Sequence, residues 1–165
     1  MKFVVVAVLA GMTLVPSASA QKLELKFDAL AAKASDKAEV DLDGALLKLA
    51  LQHSGIDLFG GVQAIHVRHY AFDHDGSWSE KDLEPLRKQV SEASGWSRVL
   101  TVKEHDENIE VFMLSQGDKV NSCLIVAAEA RELSVVYLKG TLTLAQVKHL
   151  VNSDGLASLT ELADR

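Results

Sequence analysis

The chain has 165 residues, with 17 basic against 23 acidic side chains and a net charge of −6. That acidic, unclustered balance excludes a nucleic-acid binder, which needs a basic stripe to neutralise phosphates. Cys123 is the single cysteine, so no internal disulfide can form, and a chain of this length can bury a core without one.

The first twenty residues, MKFVVVAVLAGMTLVPSASA, have the three parts of a secretory leader. Lys2 gives the positive start, Phe3 to Val15 the apolar run, and Pro16 breaks it before Ala18-Ser19-Ala20. The small residues suit a signal peptidase cutting before Gln21. The apolar run is short of the ~20 residues a membrane span needs, and no later run reaches that length. No cysteine follows the cut to carry a lipid. The leader therefore predicts residues 21–165 as one exported domain, periplasmic or secreted, with no transmembrane segment after cleavage.

FDALAAKASDK, residues 27–37, places Phe27, Leu30, Ala31 and Ala34 on one helical face. VDLD follows as a short extended piece. Asp43 can cap GALLKLALQH, where Leu46, Leu47, Leu49 and Ala50 form a broad apolar face, and Ser54-Gly55 is a natural stop. After Phe59-Gly60-Gly61 the period becomes alternating, and VQAIHVRHYAF reads as a strand with Ile65, Val67 and Ala71 on one side. Residues 79–93 return to helix with Leu83, Leu86 and Val90 in register. Pro85 lies inside that pattern and predicts that the first turn is a separate piece.

Four alternating runs come next: WSRVLTVKE, IEVFMLSQ, VNSCLIVAAE and LSVVYLKG. Their connections are short enough for antiparallel hairpins. SCLIVAA is apolar on both parities, the mark of a central strand covered on both faces. Thr143 can cap a last helix through Leu144, Val147, Leu150 and Val151, and LASLTELADR forms a short tail helix. The expected fold is α+β: a mainly antiparallel sheet of about five strands with helices packed on it.

His66 to Trp78, HVRHYAFDHDGSW, is the stretch most crowded with reactive side chains. On a strand, His66 and His69 point to opposite faces and cannot share an ion without a bulge. No HExxH or CxxC motif occurs, so neither zinc nor another cofactor is expected. Asp73, Asp75, Gly76, Ser79 and Asp82 match an EF-hand-like loop at several offsets. Ala71 at its first ligand position and Asp82 in place of the closing glutamate remove much of its charge. A turn at Asp75-Gly76 and a cap from Ser79 to Asp82 explain the same residues more economically. Nucleophile elbows and phosphate-cradling glycine loops are absent. Cys123, among Leu124, Ile125 and Val126, reads as a quiet core thiol. Alternation gathers His66, Arg68, Tyr70 and Phe72 on the sheet face opposite Ile65 and Val67. That row is a binding platform for an acidic or aromatic partner, a second layer of core under a helix, or an ordinary solvated face with a cation–π pair.

VDLDGALLKLA, IHVRHYAFDHDGSWSEKDLEPLRKQ, GWSRVLTVKEHDENIEVFML and GDKVNSCLIVAAEARELSVVYLKGTLTL together resemble the bacterial exported proteins grouped as domain-of-unknown-function family 4252, of the acidobacterial type. The resemblance runs from about Phe27 to Val151 and is most specific at GWSR-V and at the pair of strands ending in Gly140. The chain departs from the pattern in a short loop between Gln52 and Phe59 and at Asn121-Ser122-Cys123. The resemblance implies an exported α+β domain without recognised catalysis and an envelope role. Three functions follow for comparison. The first is a non-enzymatic module binding an envelope protein or small ligand. The others are a calcium-stabilised structural domain and an enzyme using the stretch from His66 to Asp75. Without a complete catalytic motif, the first is the reading adopted.

Overall fold

The computed structural model describes residues 23–54 and 60–151. The leader, the stop at Gly55, the short loop before Gly60 and the tail helix lie outside the described residues. The elements are α1 (Asp28–Lys33), β1 (Asp36–Asp43), α2 (Gly44–Ser54), β2 (Val62–Ala71), a 3₁₀ turn (Glu80–Leu83), α3 (Glu84–Gln89), β3 (Trp96–Glu104), β4 (Glu107–Gln116), β5 (Lys119–Ala128), β6 (Glu132–Leu142) and α4 (Leu144–Val151). All six strands form one sheet in the order β1-β2-β6-β5-β4-β3, and every neighbouring pair is antiparallel.

The sheet has one strand more than expected. The extended piece at VDLD is the second half of an eight-residue strand, and the first helix stops at Lys33 rather than running to Lys37. Ala34 turns extended at φ −70°, ψ 138°, and Asp36 and Lys37 pair with Ala71 and Tyr70. Pairing along a ten-residue neighbour outweighs the helix propensity of a six-residue segment, which cannot stand alone.

Alternation along the strands divides the core in two. One layer holds Tyr70, Phe72, Phe112, Leu124, Val126, Leu133 and Val135 under the N-cap residue Phe27 and Leu30 of α1 and Leu86 of α3. The other holds Ile65, Val67, Val111, Cys123, Ile125, Val136 and Leu138 with Leu47 of α2 and Val147 of α4. β5 lies between β6 and β4 and feeds both layers, Leu124 and Val126 to the first, Cys123 and Ile125 to the second. The expected broad face of α2 is narrower: Leu47 is buried, whereas Leu46 and Leu49 are 60% and 56% exposed.

Pro85 sits in the first turn of α3, and the preceding residues form the separate 3₁₀ turn. Proline's missing N–H is harmless at that position. Gly140 explains why the strand pair it closes carries so specific a sequence. Its φ is +137°, and a Cβ there would lie 2.3 Å from the Gly61 carbonyl oxygen. β2 and β6 approach too closely for any side chain.

Candidate functional site

All four residues of the predicted row share the face that α1 and α3 cover. Tyr70 is fully buried and Phe72 is 4% exposed, so the aromatic half of the row is core rather than a surface. Phe27 meets Tyr70 edge-on at 6.2 Å. The expected platform therefore narrows to His66 and Arg68, which face edge strand β1. Asp41 receives both: His66 Nδ1 lies 2.6 Å from Oδ1, and Arg68 Nη2 donates to Oδ2 at 3.0 Å. Arg68 Nη1 also donates to the Val40 and Val67 carbonyls, which fastens β1 to β2. Tyr70 Oη donates to Glu39 at 3.0 Å. Partial burial pushes the Asp41 carboxyl up, but the hydrogen bonds and charges of His66 and Arg68 outweigh it and hold it below the ordinary carboxylate range. Burial, followed by the bond to Glu39 and its charge, pushes the Tyr70 phenol up.

His69 and His74, the other histidines of the stretch, do not join this network. His69 points to the opposite face, where Nδ1 lies 2.9 Å from Ser134 Oγ. His74 lies in the turn and accepts a hydrogen bond from Ser77 through its carbonyl. The acids of the calcium-loop candidate are held apart as well. Asp73 is exposed, Asp75 pairs with Arg131, and Asp82 accepts from the Ser79 N–H at 2.8 Å and pairs with Lys33 at 3.1 Å. Among the described residues, no group of three or more histidines, cysteines and acids is placed to hold a metal ion. Asp82 and Ser79 bracket the 3₁₀ turn reciprocally, which is the turn-and-cap arrangement.

A second cluster lies across the same sheet face, in a cleft of about 430 Å³ between α3 and the strands β3 and β4. Its walls include Trp96, Phe112, Ser91 and Ser97. At its floor Glu110, with a side chain 7% exposed, accepts from Arg87 Nη2 at 2.8 Å and from Arg98 Nη1 at 3.1 Å. Arg87 also pairs with Glu80. Burial pulls the Arg87 guanidinium down, but Glu110 and then Glu80 outweigh it and raise it. A buried carboxylate unpaired would cost several kcal/mol, roughly, so the two guanidiniums are fixed where Glu110 needs them. Arg98, which lines the cleft, remains 59% exposed.

Sequence reading passed over this cluster, although one signal was present. Glu110 is the single charge inside the apolar run IEVFML and shares the inward parity of Phe112. Such a residue needs partners, which the chain supplies from positions 87 and 98.

A family model described as Domain of unknown function (DUF4252) matches residues 32–150. No curated protein matches the chain, and no solved structure does.

Proposed function

The chain belongs to the DUF4252 family, and from its own residues we propose that it is an exported, non-enzymatic binding module of the cell envelope, periplasmic or secreted. Export rests on the leader of residues 1–20. Binding rests on one observation, the cleft where the buried Glu110 sets two guanidiniums beside Trp96 and Phe112. The cleft volume falls in the range of small-molecule sites, roughly 300–1,000 Å³, and its lining is mainly polar and charged, with Val90, Trp96 and Phe112 as its apolar part. Glu110 is committed to both arginines, so the cleft offers donors and aromatic surface rather than a group free to shuttle protons. The ligand is a small molecule or a side chain of an envelope protein that presents an acceptor to Arg98.

The full chain, recovered from the envelope of an expressing host, is the material for the test. It is immobilised beside its Arg98→Ala variant, both are washed with envelope extract, and the eluates are compared by mass spectrometry. A ligand retained by the native chain and lost from the variant supports the reading. Identical eluates sink it. Glu110 keeps its bond to Arg87 in the variant, and a thermal melt of both chains checks that the fold survives the truncation.

A further inference from the structure

Among the described residues no strand pairs with the outer sides of β1 and β3; these two edges are complementary to each other, and the geometry points to head-to-tail pairing between copies, β1 of one chain adding to β3 of the next. Five antiparallel junctions separate β1 from β3, so the two edge strands run in opposite directions. A second copy in the same orientation thus presents β1 antiparallel to β3, with the same faces up. Both edges carry a row of backbone donors and acceptors facing away from the sheet, the ordinary template for strand addition.

One register satisfies both faces. On the face covered by α1 and α3, β1 shows Lys37, Glu39, Asp41 and Asp43, and β3 shows Arg98, Thr101 and Lys103. On the other face β1 shows Ala38, Val40 and Leu42, and β3 shows Leu100 and Val102. Setting Glu39 opposite Lys103 places Val40 on Val102 and Leu42 on Leu100. Asp43 then meets the bulge between Arg98 and Leu100, beside the Arg98 guanidinium. Val40, Leu42 and Val102 are only partly covered in the single chain, and Leu100 is 38% exposed. The same register therefore closes two apolar pairs and brings acids against bases.

Like-edge pairing has no such solution. Two β1 strands near full overlap set Glu39 against Asp41, which is repulsive, and the register that pairs Lys37 with Glu39 instead sets Val40 opposite Asp36. The charges guard against a two-fold dimer and leave the heterologous junction open. A screw operation with no closing rotation generates open assemblies that lengthen with concentration.

Sedimentation velocity and light scattering on the full chain, from micromolar to millimolar, test this directly. Mass should climb without a fixed endpoint and fall back in high salt. Lys103→Glu, at an exposed position, should weaken association roughly tenfold, and adding Glu39→Lys to it should restore the assembly. In a separate variant with Leu42→Cys and Leu100→Cys, oxidation should give a ladder of covalent multimers, because opposed Cβ atoms lie within disulfide reach. Either single cysteine variant should stop at dimers. A mass that stays at one chain throughout overturns the inference, as does growth that ignores Lys103→Glu or yields no ladder. Ligand retention in the cleft is read from single chains and stands or falls separately.

Discussion

Tyr70 shows how one side chain can be core at its ring and polar at its tip. The ring is fully buried against Phe27, and the hydroxyl reaches Glu39 at the sheet edge. Tyr70→Ala should cost about 3–5 kcal/mol, as for other buried aromatics, whereas Tyr70→Phe should cost only about 1 kcal/mol for the hydrogen bond. Urea denaturation of the two variants checks the separation, and equal losses would show that the hydroxyl carries the effect. Asp41 sets a pH dependence of known sign. Folding lowers its pKa, so the folded state binds the proton more weakly than the unfolded chain. The stability it contributes is present above its unfolded value of 3.8 and is lost as the pH falls through the lower folded value. Asp41→Asn should therefore flatten the acid limb of stability against pH below about 4 while leaving the neutral region parallel to the native profile. An unchanged acid limb would show that His66 and Arg68 do not favour the ionised form.

Elements are governed here by what lies beside them. β1 has five of its eight residues exposed and a sequence weak enough to read as a short extended piece, yet it runs its full length because β2 offers a continuous partner and Arg68 ties the two together. The β2–β6 junction depends on glycine at both crossing points, Gly61 and Gly140. Gly140→Ala would force both an unfavourable φ and a clash with backbone that cannot swing aside. Its expected cost is about 2–4 kcal/mol, the sum of strain and displacement. Thermal melting of that variant should show the loss. Gly117→Ala provides the control, since a Cβ there meets nothing within 4 Å although its φ is also positive. If both variants melt alike, conformational strain alone accounts for the effect and the close approach does not.

On the scale of the molecule, two layers of core lie on a six-stranded sheet whose outer strands, among the described residues, are β1 and β3, with a cleft at the β3 side. Among the described residues, no helix is long and apolar enough to cross a membrane. Export remains a proposal of the leader, and it has a direct check. Mass spectrometry of the protein from its native host should find a chain beginning at Gln21, cut after Ala18-Ser19-Ala20. An intact leader on protein in the cytoplasmic fraction would remove the export half of the proposed function.

The sequence by itself determined the α+β class, the four consecutive hairpin strands, the break before Pro85, the central place of β5 and the cap at Thr143, where Gln146 N–H donates to Oγ1 at 3.3 Å. Each is written in local spacing: a period of two or 3.6, a proline, a hydroxyl three residues before a donor. It also placed His66, Arg68, Tyr70 and Phe72 on one face, because alternation needs no partner to be true. Only the tertiary structure decided which of those four reach solvent, since that depends on where α1 lands, and α1 ends 33 residues before His66. It likewise decided that Glu110 meets Arg87 and Arg98, from 23 and 12 residues away. Periodicity reports the direction of a side chain, and distant chain segments decide what it meets there.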